Sequence, residues 1–164
     1  MDRYRGYYNS PIGIIEIEGT ESEILSVKFL DDLDNNQIIH SYFTNARVSK
    51  VVGQCIKQLD EYFRGDRKTF EINIAFREGS EFQRKVWTLL REIPYGETVS
   101  YLYIAEKAGN RKAARAVGNA NNKNPISIIV PCHRVIGSNG KLVGYGGGIW
   151  RKKWLLEHEK AKSH

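Results

Sequence analysis

The sequence has only two cysteines, Cys55 and Cys132, and they lie far apart in the chain. A disulfide framework needs more cysteines, and a zinc site needs clustered Cys or His residues, so neither is predicted. No apolar run approaches the roughly 20 residues of a membrane span. The start, "MDRYRGYYNSP", lacks the apolar core of a signal peptide. We therefore expect a cytoplasmic protein with free thiols, no metal and no membrane contact.

A strong excess of charge of either sign is also absent. The net charge is +6 and the pI is about 9.3, which permits a polyanionic partner such as nucleic acid without requiring one. With 164 residues, of which 41% are hydrophobic, the chain can form a real core as one domain or two small ones.

The first half of the sequence predicts a small sheet with a helix. Two strand-like runs, residues 14–19 and 24–30, follow the turn sequence "NSPIG". Residues 51–65 carry apolar side chains at helical spacing and end at a glycine. The next run, residues 69–76 ("TFEINIAF"), alternates apolar and polar residues as a half-buried strand does. The fold class predicted for the whole chain is α+β.

The composition changes at "REGSEF", which predicts two domains, residues 1–77 and 78–164. Just after this boundary, Ser80 and Gln83 have the spacing of a capping box that begins a helix. The apolar residues that follow recur at helical spacing up to "IPYGET", where we expect this helix to end.

Two further short helices are predicted on either side of Gly109. Ser100 can cap the first and Asn110 the second. Two helices joined by a tight glycine-containing turn have the outline of a helix-turn-helix. The second helix alternates small and basic residues: Arg111, Lys112, Ala113, Ala114, Arg115, Ala116 and Ala120. Either its alanines pack against the first helix, or they let it approach DNA closely while the basic residues contact phosphates.

The stretch "IIVPCHRVIG" places Cys132 beside His133 and Arg134. A thiol of pKa about 8.5 is mostly protonated at neutral pH, and a histidine or nearby cation can favour the reactive thiolate. A buried structural cysteine beside an exposed histidine remains the alternative. The preceding "ISIIVP" predicts a buried strand or extended segment. If the segment stays extended, Cys132 and His133 point to opposite faces, and a direct pair needs a bend or a bridging water.

A third polar group is needed to orient the imidazole of His133. Glu157 and Glu159 in the last predicted helix, "IWRKKWLLEHE", are both candidates, as is Asn124. The basic runs "RKK" and "KAK" near the C-terminus are interpreted as solvated faces that could add phosphate contacts. Between the cysteine and this helix, "GSNGK" predicts a tight turn at Asn139 and Gly140, followed by a glycine-rich loop, "LVGYGGG" (residues 142–148).

The second half of the chain resembles the O6-alkylguanine-DNA alkyltransferases, also called methylated-DNA–protein-cysteine methyltransferases. The resemblance is carried by "FQRKVW", "IPYGETVSY", "RKAARAVGNA", "PCHRVIG" and "GYGGGIWRKKWLLEHE" in this order. It departs from the pattern at Gly146, where serine or alanine is usual. It implies an N-terminal ribonuclease-H-like lobe, and a mainly helical C-terminal lobe with a helix-turn-helix and the active-site segment.

The resemblance also implies roles for single residues. Cys132 would accept the alkyl group, His133 would take its proton through a water molecule, and Glu159 would hold His133. Asn124 would brace the active-site turn, and Tyr101 would rotate the target nucleotide and hydrogen-bond the flipped guanine. Arg115 would fill the space of the extruded base. The other positions implied for DNA or substrate binding are Ala113, Ala114, Leu102, Asn110, Val135, Ser138, Tyr145, Gly146, Gly147 and Lys152.

The implied partner is double-stranded DNA that contains O6-alkylguanine, with O4-alkylthymine as a second candidate, bound through the minor groove by a monomer. Because the reactive oxygen lies inside the duplex, the base must be flipped out. Water does not hydrolyse a thioether at a useful rate, so the protein is expected to act once, without a cofactor. Two other functions stay open: a DNA-binding protein without chemistry, and a cysteine hydrolase that turns over.

Overall fold

The computed structural model describes residues 2–31, 40, 43 and 46–162. The chain divides into two compact units, residues 1–77 and 78–164. The first contains an antiparallel sheet and a helix, and the second is mainly helical. This α+β architecture is the predicted fold class. In the described part of the chain, every helix is too short or too polar to cross a lipid bilayer.

The first unit is built on a three-stranded antiparallel meander. Its strands are β1 (Tyr4–Ser10), β2 (Gly13–Gly19) and β3 (Ile24–Leu30), in the order β1-β2-β3. Helix α1 (Lys50–Phe63) packs against this sheet and begins at the N-cap Ser49. The sequence predicted β2, β3 and α1 but not β1, which follows directly after the N-terminus and contains tyrosine, arginine and glycine instead of an aliphatic run.

The predicted strand at residues 69–76 is wrong as a regular strand. Among the described residues, this segment makes one parallel bridge, between Ile74 and Ile24 at the start of β3. Ile72 is buried, whereas Ile74 and Phe76 are only half-buried. The alternating pattern reports which side chains face the core, and it does not require the backbone to pair along its length.

The second unit begins with helix α2 (Glu81–Leu90), which starts at the predicted capping box. A two-residue strand, β4 (Val99–Ser100), leads into α3 (Tyr101–Lys107), where Ser100 accepts a hydrogen bond from the backbone N–H of Tyr103. Both caps were predicted from the sequence. They are recognisable there because each depends on residues only three positions apart.

The helix-turn-helix outline is formed by α3 and the next two helical segments. Gly109 has a positive φ of 90°, which ends α3 and reverses the chain. A 3-10 helix (Arg111–Ala113), capped by Asn110, then leads into α4 (Ala114–Asn122), and α4 contacts both α2 and α3. Trp87 of α2 donates a hydrogen bond to the carbonyl of Ala120, 2.8 Å away, and so joins α2 to α4.

The end of the chain returns to this helical group. A 3-10 helix (Cys132–Arg134) is followed by β5 (Val135–Ile136), which pairs in parallel with β4. After a turn and a loop, α5 (Ile149–Lys162) packs against the Cys132 segment. The core of the unit includes Val86, Leu90, Ile104, Val117, Ile126 and Leu155, all of which are buried.

The predicted strand before Cys132 is wrong. Residues 127–129 form a turn that is followed by a bend at Val130, and Ile128 has a positive φ of 72° that β-branched residues rarely adopt. The side chain of Asn124 satisfies backbone groups that a neighbouring strand would otherwise satisfy. Its amide donates to the carbonyl of Val130 at 2.7 Å, and its oxygen accepts from the N–H of Ile126 at 3.0 Å. A buried apolar run was therefore mistaken for an extended one.

Candidate active site

Cys132 is the first residue of a 3-10 helix, and its side chain is almost completely buried. Because this segment is helical, the expectation that Cys132 and His133 lie on opposite faces of an extended strand does not apply. The strained backbone of Ile128 lies four positions before Cys132, and such strain is common where a functional residue is held in place. The turns braced by Asn124 therefore fix the position of the thiol.

The β4–β5 pair joins the active-site segment to the start of the helix-turn-helix. Val99 pairs with Val135, and Ser100 pairs with Ile136. Tyr101 directly follows this pair, and its pKa is raised by burial and by the nearby thiolate form of Cys132. Tyr101 and Cys132 therefore lie in one site although 31 positions separate them in the sequence.

The imidazole of His133 is held by a buried carboxylate. Its Nε2 lies 2.7 Å from Oε2 of Glu159, and both side chains are fully or almost fully buried. Glu157, the other candidate from the last helix, is exposed. The second ring nitrogen, Nδ1, is buried and has no hydrogen-bond partner among the described residues. His133 can therefore donate to Glu159 through Nε2–H and accept a proton at Nδ1.

Burial controls the ionisation of the thiol and of the imidazole. It raises the pKa of Cys132 to about 11, although a hydrogen bond from Asn124 and the charge of Lys152 oppose this effect. Burial lowers the pKa of His133, so this side chain is neutral at physiological pH. A neutral thiol near a neutral imidazole is a resting state that needs proton transfer before the sulfur becomes a good nucleophile.

Lys152 lies inside the site, and the interpretation of "RKK" as a solvated face is wrong for Arg151 and Lys152, which are both buried. The Nζ of Lys152 donates to the carbonyls of Val143 at 3.0 Å and Gly144 at 3.2 Å. Burial lowers its pKa to about 8. The first turn of α5 packs against the glycine-rich loop, and this contact buries residues whose charge alone predicted exposure.

Two models of one protein family match the two halves of the chain. The ribonuclease-like domain of 6-O-methylguanine DNA methyltransferase matches residues 3–76, and the DNA binding domain of the same methyltransferase matches residues 81–161. A methylated-DNA–protein-cysteine methyltransferase of Methanosarcina acetivorans is 47% identical over 95% of this chain and 97% of its own length. The chain belongs to this methyltransferase family.

Solved structures of the methyltransferase family agree with this assignment. The crystal structure of the Mycobacterium tuberculosis O6-methylguanine methyltransferase has a TM-score of 0.84 and 43% identity, over 98% of this chain and 94% of that chain. A structure of the same M. tuberculosis protein in complex with DNA matches with the same score and identity over 96% and 93%. The predicted family and its ribonuclease-like N-terminal lobe are confirmed.

The residues that the methyltransferase resemblance assigned to DNA lie on two parts of the second unit. On the helix-turn-helix, Arg115 and Asn110 are exposed, and Leu102, Ala113 and Ala114 are half-buried. Ala120 is buried in the core, as expected of an alanine that packs inside the domain, whereas Ala116 is exposed. Arg111 and Lys112 are exposed as well, so the outer face of this helix is basic.

The remaining assigned residues follow Cys132 in the chain. Ser138 and Gly146 are exposed, Gly147 is half-buried, and Val135 and Tyr145 are buried. A Cβ added at Gly146 would lie 3.3 Å from the carbonyl oxygen of Asn122, closer than ordinary van der Waals contact. The glycine at this position therefore permits a close approach of the loop to the end of α4.

Sequence reasoning missed two polar residues of the site, Asn121 and Arg134. The amide of Asn121 donates to the carbonyl of Cys132 at 3.2 Å, and the same carbonyl accepts from the N–H of Val135. Arg134 contacts Glu159. The signal for Asn121 was a polar residue at helical spacing beside buried Val117 and Ala120. Arg134 stands beside Cys132 and His133 in the sequence, but the sequence contains no sign of its distant partner, Glu159.

Proposed function

We propose that this methyltransferase repairs O6-alkylguanine in double-stranded DNA by transferring the alkyl group to its own Cys132, once per molecule. The observation that carries the proposal is the buried thiol of Cys132 followed by His133, whose imidazole is bound to the carboxylate of Glu159 at 2.7 Å. Family membership supplies the substrate class, and this arrangement supplies a nucleophile and its base.

The chemistry begins with proton transfer from the thiol of Cys132. Nδ1 of His133 accepts this proton through a bridging water molecule, while Glu159 holds the Nε2–H and stabilises the imidazolium. The thiolate then attacks the alkyl carbon. A C–S bond forms, the C–O bond breaks, and its electron pair goes to the guanine oxygen. The net proton transfer is from the thiol to the guanine ring, which restores guanine and leaves a stable thioether.

The target base reaches the thiol by leaving the stack, which costs a few kcal/mol. The exposed Arg115 on α4 fills the vacated space, and Tyr101 contacts the flipped nucleotide. The half-buried Ala113 and Ala114 allow α4 to lie close to a narrow minor groove. Arg111 and Lys112 on the same exposed face add phosphate contacts, which carry no base specificity. Repair in any sequence context follows from contacts of this kind.

The two compact units correspond to two functional domains, residues 1–77 and 78–164. The described residues assigned to chemistry and DNA contact all belong to the second unit. The protein acts as a monomer in the cytoplasm, because one thiol and one DNA-contacting helix complete the reaction and the thiol must stay reduced. O4-alkylthymine, which presents a similar alkylated oxygen, is a second substrate.

The test is to incubate the protein with an excess of duplex that carries one O6-methylguanine, and to follow demethylated DNA against time. We expect product to stop at one equivalent per protein. A DNA-binding protein without chemistry would give a footprint and no product. A cysteine hydrolase would continue past one equivalent, or would need an acyl substrate. Either of these two outcomes would contradict the proposed function.

A further inference from the structure

Arg134 is a buried cation whose guanidinium is directed at the carboxylate that holds the base. Its Nε donates to Oε1 of Glu159 at 2.8 Å, and its Nη2 donates to Oε2 at 3.0 Å. Its Nη1 donates to the carbonyl of Ile93 at 2.7 Å, in the segment after α2. This bidentate contact favours the ionised form of the carboxylate and also fixes its orientation. A single hydrogen-bond donor would leave the carboxylate free to rotate.

Glu159 needs such a partner because its side chain is only 1% exposed. Burial alone would raise the pKa of Glu159 and favour its neutral form, but the charges and hydrogen bonds of His133 and Arg134 outweigh burial and hold this pKa well below its ordinary value. Since burial keeps His133 neutral at physiological pH, Arg134 supplies a full positive charge in direct contact with the carboxylate in the resting protein.

The ionisation of Glu159 decides which nitrogen of His133 carries the proton. An ionised carboxylate only accepts, so it selects the tautomer with hydrogen on Nε2 and leaves Nδ1 bare. A protonated carboxyl group would instead donate to Nε2 and place the imidazole proton on Nδ1. In that tautomer, Nδ1 could not take a proton from the thiol. A wrong histidine tautomer costs a serine protease about 10⁴ in rate.

We propose that Arg134 is a positioning residue for the alkyl transfer: its guanidinium keeps Glu159 ionised and in place, so that His133 carries its proton on Nε2 and presents a bare Nδ1. This role rests on the proposed function. The relay therefore contains a fourth member, Arg134, which never touches the thiol or the DNA base.

Other groups that face the buried carboxylate do not replace Arg134. Tyr95 is neutral, because burial and the charge of Glu159 raise its pKa, and its ring lies under the guanidinium at 5.7 Å. The pKa of Tyr145 is also raised well above its ordinary value, chiefly by burial. The N–H of Gly96 donates to Oε1 of Glu159 at 3.4 Å, a long and uncharged contact. On α5 itself, the ammonium group of Lys152 donates hydrogen bonds to the glycine-rich loop and to Tyr101.

The experiment is nitrogen NMR of ¹⁵N-histidine-labelled protein without DNA, which distinguishes the two neutral tautomers from imidazolium. His133→Gln identifies the signal of His133 among the four histidines. We expect neutral His133 with hydrogen on Nε2 in the wild type at pH 7.5. In Arg134→Gln we expect at least half of His133 in another form, and in Arg134→Lys, which keeps the charge, we expect the wild-type tautomer.

The rate of methyl transfer is then measured across pH for the same proteins. Arg134→Gln should be at least about tenfold slower at pH 7.5, with a shifted pH profile, and Arg134→Lys should recover part of the rate. Arg151→Gln is the matched control for the tautomer, because it removes another buried guanidinium, one that donates to the carbonyl of Gly147. It should leave the His133 spectrum unchanged.

The proposal is overturned if Arg134→Gln keeps the Nε2–H tautomer and an unchanged pH profile, since Arg134 would then only support the fold. It is also overturned by the wild-type spectrum alone if the proton lies on Nδ1, so the test survives even if Arg134→Gln does not fold. Failure of the proposed function is separate. That failure would appear as absent methyl transfer in the wild type, whatever the tautomer of His133.

Discussion

The ammonium group of Lys152 and the hydroxyl group of Tyr101 lie 3.4 Å apart and both donate to the carbonyl of Val143. Lys152 belongs to α5, Tyr101 begins the helix-turn-helix, and Val143 lies in the glycine-rich loop. One small cluster therefore connects the three parts of the chain that surround the thiol. The loop is held to the start of α3 by these bonds, and the charge of Lys152 also favours the thiolate of Cys132.

Replacement of Lys152 should reveal the cost of keeping its charge buried. Its pKa is about 8 in the folded protein, against 10.5 ordinarily, so the unfolded chain binds more protons between these pH values. The free energy of unfolding should therefore rise with pH in this window. Compared with Lys152→Met in urea titrations, the wild type should gain stability between pH 7.5 and pH 9.5. A difference that stays constant with pH would contradict the lowered pKa.

Replacement of His133, the proposed general base, should slow methyl transfer most at neutral pH. We expect His133→Ala to be slower than the wild type by about 10²–10⁴-fold at pH 7. Burial raises the pKa of Cys132 to about 11, so the fraction of thiolate formed without a base grows as pH rises toward that value. The deficit should therefore shrink between pH 7 and pH 10 in single-turnover measurements. A deficit independent of pH would mean that His133 does not deprotonate the thiol.

Asn124→Asp should destabilise the second unit. The substitution keeps the oxygen that accepts from Ile126 but removes the amide that donates to the carbonyls of Val130 and Ile126. Loss of these donors should cost about 1–3 kcal/mol of unfolding free energy.

Asn139→Asp is the matched control for Asn124→Asp, because the side chain of Asn139 is exposed and its oxygen, which aspartate keeps, accepts from the N–H of Lys141. It should stay within about 0.5 kcal/mol of the wild type in urea titrations. Equal effects of the two substitutions would show that the hydrogen bonds of Asn124 do not hold the active-site turn.

Arg115→Ala should slow the repair of duplex DNA with little effect on folding, because the side chain is exposed on α4. Free O6-methylguanine base needs no flipping, so its reaction with Cys132 should change less. Arg84→Ala removes the same charge from an exposed position on α2 and should leave duplex repair near the wild-type rate. If the two variants repair duplex equally fast, Arg115 has no role in base flipping.

The features predicted correctly from the sequence depend on neighbouring residues. Ser80 with Gln83, Ser100 and Asn110 each cap a helix through atoms two or three positions away, so short motifs revealed them. The family motifs are equally local, and the contact that they implied between His133 and Glu159 is present in the structure.

The features that were missed depend on distant partners. The segment before Cys132 is apolar because it is buried, but its turns exist because Asn124 satisfies the backbone there. Arg151 and Lys152 are buried because the glycine-rich loop supplies carbonyl acceptors. Arg134 is buried because it pairs with Glu159, which lies 25 positions later in the chain. Hydropathy and residue spacing do not predict these contacts between distant residues.

The most direct test of the central claim is to locate the transferred methyl group by mass. The protein is incubated with excess O6-methylguanine duplex, its intact mass is measured, and its peptides are mapped. Cys55 is an internal control, because it is also buried and its pKa is raised to about 12. We predict a gain of one CH₂ unit per molecule, located on Cys132 and absent from Cys55 and from Cys132→Ala. A folded protein that removes the lesion while Cys132 stays unmodified would contradict the account.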